Sequence, residues 1–490
     1  MMTTRRLFVA LLTLALFVMS VRETLDPDMW WHLRTGEAIW QLGRVPTSDL
    51  FSFTVPHHEW IVQQWLTDVL MWLVYDSAGL AGLSAFFALI VTAAFMLVYG
   101  CCQGRPYLAA FVVLLAYLAA ALPVGARPQM FNMLFLALFV NFVEGVKEGR
   151  LGLRSLFWLP VVTVLWANMH SGYLTGIALL VAYTTGEGWQ RRWGQPDERT
   201  LAWPGIRRLA LVTILAFFAA LINPRGYELW LFPLLTLGSN AIQSNIVEWH
   251  SPDFHLVYFW FFGFMMVIGV LSWLFSRRRP TWTELIIFGG SAAAGLMSAR
   301  HIPLFAVAGA PIIARHLLSS LDGTRFYPLL SGRQAQPAQP RIIKLLNMGV
   351  LLLGLLAAAI WVQMRLQHNH QKIAAHFPVA AVDFIEETAL VEGRVYNTYE
   401  WGGYLIWRRI PVFIDGRTEV YGNDFFLYYL QTIQLGKTWQ QPLDELSVDY
   451  VLLKRSSPLA TLLTESSKWR QAYEDEVARV FVRQDSEQDQ

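Results

Sequence analysis

Residues 79–99 read GLAGLSAFFALIVTAAFMLVY and contain no charged side chain. A helix needs about 20 predominantly apolar residues to cross the hydrocarbon core of a bilayer, so this stretch is long enough to span it. Similar apolar stretches recur near residues 7–21, 107–124, 129–146, 155–168, 172–187, 209–222, 255–275, 284–299, 302–318 and 345–364. With 79–100 as the second of the series, the pattern predicts a multi-pass α-helical membrane protein with about eleven transmembrane helices.

The overall composition agrees with this class of protein. Of the 490 residues, 55% are hydrophobic and only 15% are charged, whereas an ordinary soluble domain has about 25% charged residues. The 21 tryptophans suit a protein with two membrane–water interfaces, where tryptophan is enriched. A net charge of +2 gives no sign of nucleic-acid binding, which needs a strongly basic surface.

The basic residues predict the orientation of the protein. They cluster in alternate loops, and cytoplasmic loops are the ones that carry an excess of lysine and arginine. The clusters hold Arg5, Arg6, Arg105, Lys147, Arg150, Arg154, Arg191, Arg192, Arg199, Arg207, Arg208, Arg277, Arg278, Arg279, Arg325, Arg333, Arg341 and Lys344. We therefore expect a protein of the cell (inner) membrane with a cytoplasmic N-terminus and an extracytoplasmic C-terminus.

One further apolar stretch, IVQQWLTDVLMWLVYD at 61–76, would reverse this orientation if it crossed the membrane. Because it contains two glutamines and two aspartates, we expect it to form an amphipathic helix on the outer face. The first outer loop is then long, at 22–78. The other long outer loop, 223–254, includes a semi-apolar piece at 229–237 that we also expect at the interface.

The composition changes after the last apolar stretch. We expect a transmembrane domain at 1–366, with a Gln- and Pro-rich linker at 334–340, and an extracytoplasmic domain at 367–490. In the second domain predicted strands alternate with predicted helices, which indicates an α/β or mixed-sheet fold. The strands are expected at 393–396, 411–415, 449–453 and 478–483, and the helices near 379–390, 400–409, 423–435 and 458–468.

Asp26-Pro27-Asp28 follows the first apolar stretch. Two carboxylates this close together could share a metal ion or a proton, and one of them could take a proton from an acceptor hydroxyl or amine. Asp26 and Asp28 are therefore candidate catalytic and metal-binding residues. The alternative is that Asp28 caps a helix that begins at Met29.

Further ionisable residues lie at the predicted outer ends of the apolar stretches. Charges near lipid are costly and indicate function by default, and the fork of an arginine suits a lipid phosphate. Each of these residues also has a plainer explanation as part of a tight turn or as a contact with lipid head groups. The candidates for substrate binding are His32, Arg34, Arg127, His170, Arg225, Glu248, His250, Arg300 and His301.

The C-terminal domain has two polar stretches of its own, NTYEWGGY at 397–404 and DGRTEVY at 415–421. Aromatic rings beside carboxylates and arginine suit a sugar, because rings stack on its C–H faces while polar groups bond its hydroxyls. The alternative is a turn after a strand that is closed by an Asp–Arg pair. The substrate-binding candidates here are Glu400, Asp415, Arg417 and Tyr421.

The layout resembles the GT-C superfamily of membrane glycosyltransferases, which includes the protein O-mannosyltransferases and the aminoarabinose lipid A transferases. The matching features are the DPD motif after the first helix, the long first outer loop, the multi-span body and the outward C-terminal domain. The segment DPDMWWHLRTGEAIWQLGRVPTSDLFS at 26–52 also resembles a widespread family of bacterial membrane proteins. Shared with that family are NPRG at 223–226, RHIPLF at 300–305, WGGYL at 401–405 and DGR at 415–417.

The resemblance implies a donor sugar carried on a polyprenyl phosphate and an inverting transfer to a glycan, lipid or protein acceptor at the outer face. It implies that Asp26 or Asp28 is the base, and it leaves open a divalent cation such as Mg²⁺ or Mn²⁺. Arg300 or Arg225 would offset the charge of the leaving phosphate. The alternatives are a transporter or flippase and a non-catalytic envelope assembly protein.

These expectations combine into one predicted site. Asp26 and Asp28 should face a cavity that opens both to the outer aqueous phase and sideways to the lipid, since a polyprenyl chain lies in the membrane while its phosphate meets polar groups. Arg300 and His301 should line the same cavity. The two polar stretches of the C-terminal domain should face it, because the connection from the last helix is short.

Overall fold

The computed structural model describes residues 2–231, 240–332, 339–388 and 390–484, and the chain divides into two compact units. The first, here called the helical unit, consists of Met1–Arg22, Ser84–Leu229 and Ile246–Met364. The second, here called the sheet unit, consists of Glu23–Leu83, Trp230–Asn245 and Arg365–Gln490. The first outer loop, which the sequence places in the transmembrane domain, thus belongs to the same unit as the C-terminal part of the chain.

The helical unit has a helix at each apolar stretch assigned to a span. Its α-helices are Thr4–Ser20, the later part of Trp65–Cys101, Tyr107–Ala119, Met130–Lys147, Trp158–Met169, Tyr173–Trp193, Trp203–Ala219, Val257–Phe275, Trp282–Met297, Ile302–Ser320, Tyr327–Leu330 and Arg341–Gln367. Short 3-10 helices occupy Leu153–Phe157, Val247–Trp249 and Ala299–His301.

A multi-pass helical protein is confirmed, because several helices are long and apolar enough to cross a bilayer. Among the described residues there are five of these, namely Trp65–Cys101, Met130–Lys147, Val257–Phe275, Ala299–Ser320 and Arg341–His376. Shorter apolar helices lie at Tyr107–Ala119, Leu153–Met169 and Trp282–Met297. The count of eleven crossings and the orientation stay predictions.

The helix Trp65–Cys101 is interrupted at Gly79, where φ is 61° and ψ is −161°. A backbone with these angles is accessible to glycine and strained for every other residue. The break separates the helix at 65–78 from the helix at 80–101. The stretch predicted as a helix at 61–76 is thus helical from Trp65 onward and separate from the following span, while its flat position on the membrane stays a prediction.

The sheet unit contains one mixed four-stranded sheet. The strands are β1 (Val395–Asn397), β2 (Tyr450–Lys454), β3 (Trp469–Glu474) and β4 (Ala478–Arg483), in the order β1-β2-β4-β3. β1 pairs in parallel with β2, and the other two pairings are antiparallel. Its helices are Pro27–Leu42, the earlier part of Trp65–Cys101, Asn240–Asn245, Asn369–His376, Val379–Glu387, Leu390–Glu392, Tyr399–Trp401, Gly402–Trp407, Thr418–Ile433, Gln441–Glu445 and Pro458–Thr464.

The strand predicted at 411–415 is wrong. This segment makes only one isolated bridge, a parallel one between Val412 and Ser52. Its remaining backbone groups are bonded elsewhere: the Asn397 side-chain amide donates to the Ile414 carbonyl, at 2.8 Å, and accepts from the Phe413 N–H, at 2.9 Å. Because a side chain and the first outer loop satisfy its hydrogen bonds, the segment does not join the sheet.

The helix predicted at 458–468 is too long. It ends at Thr464, and the chain continues into β3 at 469–474, a strand that the sequence analysis missed. Trp469 and the strand after it pair with β4, so long-range pairing decides the conformation here rather than local preference. Positions 232–237 of the predicted interfacial piece and 334–338 of the predicted linker lie outside the described residues.

Helix Pro27–Leu42 packs closely on two neighbouring segments of the sheet unit through two glycines, Gly403 of the C-terminal part and Gly36 of the helix itself. A Cβ added to Gly403 would lie 2.4 Å from the carbonyl oxygen of Pro27. A Cβ added to Gly36 would lie 2.0 Å from the carbonyl oxygen of Asp68. Helix Pro27–Leu42 therefore lies against backbone on two sides, which only glycine permits at these positions.

Gly79→Ala should lower the melting temperature of the detergent-solubilised protein, because a residue with a Cβ costs about 1–3 kcal/mol in this backbone region. Gly100→Ala is the matched control. It lies in the same helix, and a Cβ there would have nothing within 4 Å, so its melting temperature should be unchanged or slightly higher. Equal melting of the two variants would show that the break does not depend on glycine.

Candidate functional site

The DPD motif forms the start of helix Pro27–Leu42. Asp26, not Asp28, is the N-cap: the Asp26 carboxylate accepts a hydrogen bond from the Asp28 N–H, at 2.9 Å. Pro27 occupies the first helical position, which needs no N–H donor, so the helix begins two residues earlier than the sequence suggested. The expectation that Asp28 is the cap is thereby corrected.

Asp28 lies in the first turn, where it meets the loop that follows residue 414. Its Oδ1 accepts a hydrogen bond from the Trp31 indole N–H, at 3.1 Å. A Cβ added to Gly416 would lie 1.9 Å from this same oxygen. The DGR turn thus touches the Asp28 carboxylate directly, and glycine is required for that approach.

Two further ionisable side chains share the surroundings of Asp28. Burial raises the pKa of Glu419 to about 7, while nearby Arg417 lowers it and the Asp415 and Asp28 carboxylates raise it. Burial also raises the pKa of Tyr399 well above its ordinary value, and the same acidic neighbours act in that direction. The result is a carboxyl group that titrates near neutral pH beside the first-loop aspartate.

The other residues of the DGR turn form a buried ion cluster. Arg417 donates to both Asp415 oxygens, at 2.8 and 2.7 Å, and to Asp49 Oδ1, at 2.6 Å. Tyr421 donates its hydroxyl to Asp415, at 2.6 Å. The side chains of Arg417, Asp415 and Asp49 are all fully buried. An aspartate from the first loop and one from the C-terminal part thus hold the same guanidinium.

Aromatic rings and charge balance complete this cluster. The Arg417 guanidinium lies 4.6 Å from the ring centre of Trp60 and 5.0 Å from that of Phe51. Burial alone would raise the pKa of Asp49, but Arg417 and the hydrogen bonds from Ser52 hold it below its ordinary value. With their charged groups bonded inside the unit, Asp415, Arg417 and Tyr421 fit the alternative of a turn closed by an Asp–Arg pair.

The remaining candidates of the sheet unit have partners outside the DGR turn. His32 is buried, and its Nδ1 lies 2.7 Å from Asp68 Oδ1. Arg34 pairs with Glu37, at 2.5 Å. Glu400 is half exposed and pairs with Lys454.

In the helical unit, the structure brings together candidates from four different loops. Arg127 pairs with Glu248, at 2.6 Å. Arg300 lies over the Trp249 ring, 4.9 Å from its centre. Burial lowers the pKa of His170 to about 3, and the positive charges of Arg300 and Arg127 act in the same direction. We call Arg127, His170, Glu248 and Arg300 the arginine cluster.

The other candidates of this unit are His250, His301 and Arg225. The His250 carbonyl accepts a hydrogen bond from the Ala299 N–H, at 3.0 Å. The His301 ring lies near Trp249, and its buried Nδ1 has no hydrogen-bond partner among the described residues. Arg225 pairs with Glu228, three residues on, at 2.7 Å.

The metal-binding role of Asp26 and Asp28 stays a prediction. Across residues 2–231, 240–332, 339–388 and 390–484, no three His, Cys, Asp or Glu side chains are grouped so as to hold a metal ion. Asp26 and Asp28 each accept a hydrogen bond within their own helix start. Mg²⁺ is commonly held by one or two carboxylates together with water and substrate phosphates, which a pair of aspartates would suit.

Comparison with known proteins identifies the fold. No protein-family model and no curated protein matches the chain. Two solved structures of the Archaeoglobus fulgidus oligosaccharyltransferase align with it. The one tethered to an acceptor peptide covers 92% of this chain and 69% of its own, with a TM-score of 0.57 and 12% identity. The AglB complex with an inhibitory peptide and a dolichol-phosphate covers 91% and 69%, with a TM-score of 0.56 and 11% identity.

A third structure, the arabinofuranosyltransferase AftD from Mycobacteria, aligns over 98% of this chain but only 40% of its own. Its TM-score is 0.51 and its identity 12%. The chain has a GT-C-like fold. At these identities the likeness establishes the GT-C-like architecture alone, and the activity is argued separately below.

Sequence reasoning missed two sets of residues in this GT-C-like protein. Glu419 lies inside the quoted stretch 415–421 but gave no signal of its own until the fold placed it near Asp28. The second set is a group of charged side chains near helix ends of the helical unit, Glu144, Lys147, Glu187, Arg199, Glu284 and Arg315. Acids inside otherwise apolar stretches were the available signal for these.

Arg417→Ala should destabilise the full-length protein by about 3–5 kcal/mol, because it leaves two buried aspartates without their cation. Thermal unfolding in detergent measures this. Arg408→Ala is the matched control, since Arg408 pairs at the surface with Asp383 and Glu386 and should cost at most about 1 kcal/mol. If Arg417→Ala instead melts like the control, the buried cluster does not hold the unit together.

Glu419 should make stability depend on pH. Its pKa of about 7 lies above the unfolded value of about 4.3, so the folded state holds the proton more tightly. Its contribution is complete below about pH 4.3 and is lost as the pH rises through about 7. Melting temperatures of the full-length protein between about pH 5 and 8 should therefore fall with pH, and Glu419→Gln should flatten the fall.

Glu400→Gln provides the comparison for this pH series, because Glu400 is a half-exposed carboxylate of the same unit. It should leave the slope of the wild-type protein in place. A slope that is the same in wild type and Glu419→Gln would show that Glu419 titrates at an ordinary pH.

Proposed function

We propose that this protein is a membrane glycosyltransferase that moves a sugar from a polyprenyl-phosphate donor to an acceptor at the outer face of the membrane. The observation that carries the proposal is the place of Asp28 in the GT-C-like fold. It stands at the start of the first-loop helix, against Gly416 and near Tyr399 and Glu419. The AglB structure, which contains a dolichol-phosphate, supports a lipid-linked donor.

Asp28 acts as the base in this reaction. Its carboxylate takes the proton of the acceptor hydroxyl or amine, and the freed electron pair attacks the anomeric carbon of the donor sugar. The bond from that carbon to the phosphate oxygen breaks, and the polyprenyl phosphate leaves with the bonding electrons. Because attack and departure occur on opposite faces of the sugar ring, the anomeric configuration inverts.

Asp28 suits this role better than Asp26. The Asp26 carboxylate caps the helix through the Asp28 N–H, and a group with that duty keeps its place in the turn. Asp28 has an acidic neighbour in Glu419, whose pKa near 7 keeps part of the Glu419 population neutral. A neutral Glu419 repels the Asp28 carboxylate less than an ionised one would.

The helical unit carries arginines that suit a phosphate. Arg127 pairs with Glu248, and Arg300 lies over the Trp249 ring. A guanidinium bonds phosphate oxygens in pairs, and we propose Arg300 as a phosphate-binding residue of this unit. His170 is neutral at physiological pH because its pKa is about 3, so it adds no positive charge there.

Asp28→Asn should abolish sugar transfer while leaving the fold intact, because asparagine can still accept from Trp31 but cannot take a proton. A general base contributes about 10²–10⁴-fold to a rate. The test compares cells that lack the gene and carry the wild type, Asp28→Asn or Asp424→Asn. Mass spectrometry measures polyprenyl-phosphate-linked sugars and envelope glycoconjugates in each strain.

Asp424→Asn is the matched control, because Asp424 is exposed on another helix of the same unit. Loss of the gene and Asp28→Asn should both leave the lipid-linked sugar unused, and Asp424→Asn should restore its use. Full complementation by Asp28→Asn would refute Asp28 as the base. If loss of the gene changes no lipid-linked sugar and no glycoconjugate, the transferase proposal itself fails.

A further inference from the structure

The helical unit has a second charged region, at the other end of the helices that carry the arginine cluster. Arg127 precedes helix Met130–Lys147 and Lys147 ends it. Three more helices show the same arrangement. His170 precedes helix Tyr173–Trp193, which carries Glu187 towards its other end. Arg300 lies between helices Trp282–Met297 and Ile302–Ser320, which carry Glu284 and Arg315 towards their far ends. A helix of 18 residues is about 27 Å long, so the two regions are separate.

This second region is a network of buried ion pairs. Arg315 bridges Glu144, at 2.6 Å, and Glu284, and Arg199 also pairs with Glu144. Lys147 pairs with Glu187, which also accepts hydrogen bonds from Thr283 and from the Leu201 N–H. Buried charges of this kind are costly unless paired, and here three carboxylates balance three cations.

A cavity of about 1040 Å³ adjoins the network. This volume is at the upper end of the range for small-molecule sites, about 300–1,000 Å³. Its charged lining comes from loops far apart in sequence and consists of six basic and three acidic side chains. These are Arg5, Arg105, Lys147, Arg199, Arg278 and Arg315, with Glu148, Glu198 and Asp322.

Several of the arginines that line the cavity have N–H donors without an acceptor among the described residues. Arg199 Nη1 and Arg315 Nε are buried and have no hydrogen-bond partner in the part of the chain that the structure describes. Both side chains line the cavity and are more than nine-tenths buried. Arg5 and Arg278 are exposed at the cavity lining, and their guanidinium groups bond to no described residue. Buried donors without partners are rare in native structures.

We propose that this cavity is a binding site for a phosphate-bearing ligand. Unpaired guanidinium donors that line a cavity match phosphate oxygens, which accept paired bonds from arginine. The ion-pair network fixes Arg199 and Arg315 in place before the ligand arrives, which lowers the entropy cost of binding. The ligand is either the head group of an anionic lipid or a soluble phosphorylated compound, and the experiment distinguishes these sources.

The test uses the full-length protein in nanodiscs of pure phosphatidylcholine, with inorganic pyrophosphate as the probe for a soluble ligand. Calorimetry should show binding that weakens as salt is added. Arg278→Gln should weaken it at least about tenfold, as expected for a lost charge-assisted hydrogen bond. Arg278 is suitable because it holds no partner in the described structure, so its replacement should not disturb folding.

A second arm tests the lipid source. Thermal unfolding is compared in nanodiscs of phosphatidylcholine alone and with phosphatidylglycerol added. A gain in melting temperature that Arg278→Gln removes identifies a lipid head group. Arg207→Gln is the matched control for both arms, because it removes one exposed charge from the adjacent helix start without lining the cavity.

Loss of either signal in Arg278→Gln but not in Arg207→Gln supports the proposal. If the wild type responds to neither pyrophosphate nor phosphatidylglycerol, or if both variants weaken the response equally, the proposal is overturned. Neither result bears on Asp28, since this site lies in the helical unit and plays no part in the proposed transfer.

Discussion

The sheet unit depends on one buried guanidinium. Arg417 is fully buried, so its charge must be matched inside the protein, and the two aspartates that match it come from positions 49 and 415. These aspartates are far apart in sequence. If the first outer loop and the C-terminal part of the chain separated, Arg417 would become exposed or Asp49 would lose its cation. Folding of the two segments into a single unit follows from this constraint.

The position of Asp28 follows from the same constraint. Arg417 fixes the DGR turn in place. Gly416 of that turn then lies directly against the Asp28 carboxylate. The glycines at 36 and 403 allow the helix of Asp28 to approach backbone on its other sides. The buried cluster is thus structural, yet it determines the surroundings of the proposed base. A positioning role explains why residues that resemble sugar-binding groups in the sequence are bonded to one another.

The helical unit has a different arrangement of charged side chains at each end of its helices. At one end, cations and a carboxylate from three loops meet beside a tryptophan, in an arrangement suited to a lipid phosphate. At the other, acids and bases near the helix termini neutralise one another and leave arginine donors beside a large cavity. Both arrangements lie at helix ends, where the chain leaves the apolar interior and a charged group costs less free energy.

The sequence alone determined the class of the protein, because the length of an apolar run is a local property that can be compared with the thickness of a bilayer. The alternation of basic loops is also local, and it predicts the orientation. It also placed a helix at each apolar stretch and the strand at 478–483, and it singled out the DPD and DGR motifs. Only the tertiary structure decided that Asp26 caps the helix, that 411–415 leaves the sheet for the first loop and that Glu419 joins Asp28. The cap is a local contact, but both aspartates of the motif suit it by residue type, and the backbone geometry selects Asp26. The other two outcomes depend on contacts between segments hundreds of residues apart, which no local pattern encodes because the partners become neighbours only in the folded chain.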